Sequence, residues 1–82
     1  MTAEGRKIMA QESAEVDITV VITCYNEEDY IIDSINNVIE ALRTTDKSFE
    51  IIVIDDKSRD NSVQKIEEYI AGNPGNSVRL VA

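Results

Sequence analysis

Ile18-Thr19-Val20-Val21-Ile22-Thr23-Cys24-Tyr25-Asn26-Glu27 and Ile51-Ile52-Val53-Ile54-Asp55-Asp56-Lys57-Ser58 decide the fold of this chain. Each is a short run dominated by Val and Ile that stops abruptly at polar and acidic residues. Such runs suit strands of a parallel sheet buried on both faces, whereas a half-exposed strand would alternate. The stretch between Ile22 and Ile51 is long enough for a crossover helix and too long for a hairpin, so the two strands are expected to be parallel. Neighbouring parallel strands end on the same side of the sheet, and ligands of open α/β sheets bind in the crevice outside those ends. Tyr25 to Glu27 and Asp55 to Ser58 are therefore expected to line one crevice.

Outward from these runs, Ile31, Ile32, Ile35, Val38, Ile39 and Leu42 recur at helical steps, which predicts an amphipathic helix from about Glu28 to Arg43. Glu27, Glu28 and Asp29 suit its first turn and Arg43 its last, as the helix dipole favours. Phe49 leads into the second strand. A second helix is signalled by Ser58, Asp60 or Asn61 as N-cap, by Val63, Ile66 and Ile70, and by Gly72 and Pro74 as stops, with Tyr69 flanking its apolar face. Ser77 to Val81 reads as a third strand, reached through the turn residues Asn73 to Asn76. The expected fold is α/β, in the order β-α-β-α-β: the parallel, Rossmann-like half of a three-layer doubly wound fold, truncated where the third strand begins to pair. Residues 1–16 mix polar and small residues without period and read as a flexible leader before a segment over 17–82. An unpaired sheet edge is expected to favour self-association.

The chain has 82 residues, a net charge of −8, one Cys and no His. One domain at most fits that length, near the lower limit for a self-sufficient core. With one Phe and three Tyr, the packing falls to aliphatic side chains. Binding to nucleic acid is not expected, because eight scattered Lys and Arg cannot neutralise a phosphate backbone against sixteen acidic groups. A lone Cys excludes an internal disulfide and, without His, zinc sites and His-dependent acid/base chemistry are out of reach. No apolar stretch approaches the ~20 residues of a membrane span, and no signal-peptide core opens the chain. A cytoplasmic setting is the expectation.

The loop after the first strand contains neither the Gly-x-Gly-x-x-Gly of dinucleotide folds nor the Gly-Lys-Ser/Thr of a P-loop. Phosphates are thus not expected to be cradled there. Tyr25 offers instead a flat ring and a hydroxyl suited to stacking on or edging a base. Taken together, Val20 to Glu28 and Phe49 to Ser62 resemble the start of a family 2 glycosyltransferase. The likeness covers about Asp17 to Ala82 and rests on two motifs at the proper separation.

That resemblance implies an inverting enzyme with a GT-A fold whose donor is a nucleotide-diphosphate sugar. It implies that Thr23 and Tyr25 make the first nucleotide contacts, with Tyr25 beside the base. Glu27 would lie near the base or ribose and Asp56 would contact the base, while Asp55 supports the loop. Thr23 stands where many members have Pro, and Lys57 where Gly or Asn is usual. Ser58 is left out of the expected site, which is Thr23, Tyr25, Glu27 and Asp56. The Mg²⁺ or Mn²⁺ of the parent enzyme and the base that activates the acceptor are implied to be held by residues beyond the third strand. No catalytic residue is expected among these 82, and the chain alone is expected to be inactive. The style of Tyr25-Asn26-Glu27 and Asp55-Asp56-Lys57-Ser58 is similar to that of polyprenyl-phosphate sugar synthases and of polysaccharide or cell-wall transferases alike, which implies a polyprenyl phosphate or a growing polysaccharide as acceptor, and downstream apolar segments would put the full-length protein at the cytoplasmic face of a membrane.

Plainer roles compete. Glu27 also suits a helix-dipole partner, Asp60 a helix cap, and Cys24 a small packed residue with no cation nearby to activate it. As a whole the chain could be a non-catalytic nucleotide-binding or interaction fragment. A phosphoacceptor receiver domain fits less well, since its acidic pair follows the first strand and not the second.

Overall fold

The structure, a computed structural model, describes residues 16–82. Three strands and two helices alternate: β1 (Ile18–Cys24), α1 (Ile31–Arg43), β2 (Phe49–Asp55), α2 (Ser62–Gly72) and, after a 3₁₀ turn at Pro74–Asn76, β3 (Val78–Val81). The expected leader lies outside the described residues, apart from Val16.

β2 is the central strand, parallel to β1 on one side and to β3 on the other. The order 3-2-1 is that of a dinucleotide-type half-fold; a receiver-like sheet would place β1 between the other two. The receiver reading fails here. Both crossovers carry the chain in the same direction across the sheet, and right-handed connections of that kind put both helices on one face. Ile31, Ile35, Ile39 and Leu42 of α1, Ile66 of α2, and Cys24, Ile51 and Val53 of the sheet accordingly form one buried cluster. Three- and four-residue spacing of the apolar positions along α1 is what brings its four side chains to a single stripe.

Residues 16–82 thus supply two of the three layers expected. The other face carries Val21, Ile52, Ile54 and Val81, and Val21 is 53%, Ile54 39% and Val81 44% exposed. The runs read as buried on both faces are covered on one among the described residues. Their lack of alternation comes from apolar residues on the open side, so the pattern reported the composition of that face and not its present cover. Among the described residues β1 and β3 are the sheet's edges.

Local chemistry moved some boundaries. α1 begins at Ile31, later than the expected Glu28, because residues 28–30 form a turn in which the Glu27 carbonyl accepts the N–H groups of Tyr30 (2.9 Å) and Ile31 (2.8 Å). Glu27, Glu28 and Asp29 therefore precede the helix, and Asp33 is the acidic residue of its first turn, with Arg43 in the last. α2 begins at Ser62, whose N–H donates to Asp60 Oδ1 at 2.9 Å. Of the proposed caps, Asp60 is the side chain that satisfies that helix start, from one position ahead of the N-cap Asn61. Tyr69 packs beside the core and donates its hydroxyl to Asn36 Oδ1 at 2.8 Å, tying α2 to α1.

Candidate functional site

The register brings the two strand ends together. Cys24 pairs with Asp55, and the N–H of Asp56 donates to the Cys24 carbonyl at 2.9 Å. Tyr25 and Asp56 are the next residues on adjacent strands, whose axes in any sheet lie about 4.8 Å apart. They leave the sheet on one rim. Tyr25 is 54% exposed and Asp56 is also exposed. Thr23, paired with Ile54 and exposed, stands two residues back on the face away from the helices. Glu27 is exposed in the same loop as Tyr25. All four expected residues thus gather at the carboxyl end of β1 and β2.

The acidic pair divides its labour by burial. Asp55 is 8% exposed, on the helix side, where Ser58 donates both its hydroxyl, to Oδ1, and its N–H, to Oδ2 at 2.9 Å. Burial works to raise the Asp55 pKa, but the two Ser58 bonds and the Cys24 thiol outweigh it and hold the group below the usual carboxylate value. Asp55 is thereby spent on the loop, as expected. The Asp56 carboxylate has no intramolecular hydrogen bond among the described residues and is free to accept one from a ligand. Cys24 is 1% exposed, and burial, reinforced by the negative charges of Asp55 and Glu27, raises its thiol pKa against weaker opposition from Ser62 and Ser58. It is a packed residue and not a nucleophile.

What sequence reasoning missed is how the two loops are fastened. The N–H of Asn26 donates to Ser58 Oγ at 2.9 Å and that of Glu27 to Ser62 Oγ at 2.9 Å, while that of Glu28 reaches Asp60 Oδ2 at 3.1 Å. In return the N–H of Arg59 donates to Asn26 Oδ1 at 2.7 Å and that of Asn61 to Glu28 Oε1 at 3.0 Å, and Lys65 Nζ reaches the Glu28 carbonyl at 3.2 Å. Burial raises the Asp60 pKa, but the Ser62 hydroxyl and N–H and the Glu28 N–H together hold it low. Short hydroxyl, amide and carboxylate side chains in both loops were the available signal, since these types bond neighbouring backbone readily. Their partners lie in the other loop, where sequence offers no guide.

This fastening has a chemical consequence. Three successive N–H groups of the first loop are occupied by side chains of the second, so they cannot cradle a phosphate, in line with the missing glycines. Asn26 (φ 50°) and Lys57 (φ 61°) both adopt the left-handed conformation. Asn tolerates it; Lys does so at a cost, which explains why Gly or Asn would suit position 57 better. Among the described residues no group of three His, Cys, Asp or Glu is placed to hold a metal ion. Asp55 is engaged by Ser58 and Asp60 by Ser62 and Glu28, so these residues do not fit a divalent cation. No helix among the described residues is long and apolar enough to cross a membrane.

Residues 19–81 match the family model described as Glycosyl transferase family 2. The chain is 33% identical over 64 residues to an undecaprenyl-phosphate 4-deoxy-4-formamido-L-arabinose transferase of Pseudomonas fluorescens, covering 78% of this chain and 19% of that protein. It is 36% identical over 64 residues to the Edwardsiella ictaluri protein of the same name, again covering 78% of this chain and 19% of the relative. A dolichyl-phosphate beta-glucosyltransferase of Dictyostelium discoideum is 30% identical over 69 residues, covering 78% and 21% respectively. The chain thus spans about a fifth of the length of the curated relatives it matches.

Proposed function

The chain belongs to glycosyl transferase family 2, and on that premise we propose that its two strand ends hold the nucleoside part of a nucleotide-diphosphate sugar whose sugar the whole protein transfers to an acceptor. The observation that carries this reading is the juxtaposition of Tyr25 and Asp56 across the Cys24–Asp55 pair, both exposed and with the Asp56 carboxylate uncommitted. An aromatic face stacks on a base whatever its identity. A carboxylate beside it accepts hydrogen bonds from base N–H groups, and a charged acceptor makes the stronger kind of bond. Thr23 supplies a hydroxyl at the same rim and Glu27 a carboxylate for a ribose hydroxyl.

The names of the relatives support a polyprenyl phosphate as acceptor, with a growing polysaccharide as the second candidate; a lipid-linked acceptor would place the work at a membrane, and its cytoplasmic face is part of the proposal. Members of the family generally use a divalent metal. Its ligands in the whole protein are proposed to lie outside these residues. An inverting displacement needs a base at the acceptor hydroxyl and stabilisation of the leaving diphosphate, and both are proposed to come from residues other than these. The 82 residues alone are therefore proposed to bind and not to transfer.

Titration calorimetry of the protein with UDP and with GDP, each with and without Mn²⁺, tests the assignment. Tyr25→Ala and Asp56→Ala are each expected to weaken binding about tenfold or more, the scale of one lost stacking contact or one charged hydrogen bond. Unchanged affinity in both variants would defeat the reading.

A further inference from the structure

We infer that Asn26 is a positioning residue for the nucleoside subsite, setting the distance between Tyr25 and Asp56 without touching the ligand. The inference rests on the reading given under Proposed function. Asn26 immediately follows Tyr25, so its backbone conformation fixes where the chain goes as the ring leaves β1. That conformation is left-handed, with φ 50°, and its side chain and backbone are both bonded across the gap. Its N–H is held by Ser58 Oγ at 2.9 Å, and its Oδ1 holds the N–H of Arg59 at 2.7 Å.

Both anchoring points belong to the second loop. Ser58 is itself fixed by Asp55, the last residue of β2, through its N–H and hydroxyl. Asn26 therefore links the residue after Tyr25 to the two residues that follow Asp56 and Lys57. On the Asp56 side, the sheet contributes only the bond from its N–H to the Cys24 carbonyl. Beyond that bond the loop from Asp56 to Arg59 is free of ladder pairing and includes a strained Lys57 at φ 61°. Without the amide of Asn26, the Arg59 N–H would lose its partner on the Tyr25 side among the described residues, the second loop would be held across the gap at Ser58 and Asp60 on either side of it, and the Asp56 carboxylate would sample a wider range of positions. A ligand bound between ring and carboxylate would then have to order the loop itself, which weakens binding.

The substitution pair Asn26→Gly and Asn26→Asp separates this role from general support. Glycine keeps the left-handed backbone and removes the amide oxygen, while aspartate keeps both the tolerance and an acceptor oxygen. Affinity for UDP or GDP, whichever the unmodified protein binds, is measured by calorimetry at an ionic strength that screens the added carboxylate and a temperature at which circular dichroism shows each variant folded. Asn26→Gly is expected to bind about tenfold more weakly, the equivalent of one hydrogen bond's worth of order, and Asn26→Asp within about twofold of the unmodified protein. In turnover by the whole protein carrying the same substitution, the donor KM should rise with kcat unchanged. If Asn26→Gly does not fold, Ser58→Ala takes its place with the same expected loss, Ser58→Thr being the variant expected to retain binding. Full affinity in the glycine variant, or equal loss in both members of a pair, overturns the positioning role while Tyr25→Ala and Asp56→Ala still weaken binding. Full affinity in those two as well removes the nucleoside reading and the positioning role together.

Discussion

Replacing Ser58 by Ala should expose how the buried carboxylate of Asp55 is maintained. The Ser58 hydroxyl donates to Asp55 Oδ1 and accepts the Asn26 N–H at 2.9 Å. Asp55 is 8% exposed, so water cannot readily replace the lost donor, whereas the exposed Asn26 can turn to solvent. A hydrogen bond to a charged group contributes about 1.5–3 kcal/mol. The Ser58 N–H, 2.9 Å from Oδ2, survives the substitution, so a loss of about 2 kcal/mol is expected at neutral pH. That is a large share of the stability of a small domain. The pH dependence carries the sign. A carboxyl whose pKa is depressed by folding adds stability that is fully present above its unfolded value, here 3.8, and is lost as pH falls through the folded value. Removing the hydroxyl lifts the folded pKa, so the difference between Ser58→Ala and the unmodified chain should be full at neutral pH and shrink on acidification below 3.8. Urea denaturation followed by far-ultraviolet circular dichroism at several pH values measures it, with a constant m-value showing that the unfolded reference is unchanged. A difference under about 0.5 kcal/mol at neutral pH, or one that stays constant down to the acid limit, would refute the reasoning.

Lys57→Gly should stabilise the chain by about 0.5–1 kcal/mol, since it relieves a left-handed L-residue costing roughly 1–2 kcal/mol and gives back part of that as backbone entropy; a thermal melt shows this as a rise in Tm. Ile35→Ala, at a fully buried position of α1, should cost about 2–5 kcal/mol. Val21→Ala, on the open face of β1 and 53% exposed, should cost well under half as much, about 1 kcal/mol or less; equal losses in denaturant melts would contradict the one-sided core.

Hydrophobic periodicity made the element order legible. Ile31, Ile35, Ile39 and Leu42 repeat at helical spacing because one stripe must face the sheet, and the Val/Ile runs with a long gap between them could only be parallel. The resemblance carried by Tyr25-Asn26-Glu27 and Asp55-Asp56 likewise pointed to the family that the sequence comparison supports. The start of α1 was not legible, because residues 28–30 form a turn closed on the Glu27 carbonyl, with the Glu28 N–H bonded to Asp60 across the gap. Nor was the one-sided cover of the sheet, since Val21 and Ile54 look alike in sequence whether or not a layer lies over them.

By itself, the amino-acid sequence determined the local periods, the parallel pairing and the placing of Thr23, Tyr25, Glu27 and Asp56 at strand ends, all of which follow from short-range patterns and chain length. The tertiary structure decided how the acidic pair is held: the Ser58 N–H and hydroxyl close off Asp55, and Asp56 stands exposed on the same rim as Tyr25. It also decided that Asn26, Glu28, Ser58, Asp60 and Ser62 fasten the two loops to each other. The bonds across the gap join residues more than thirty positions apart, and partners at that separation are chosen by strand register and loop direction, which exist only once the sheet has formed.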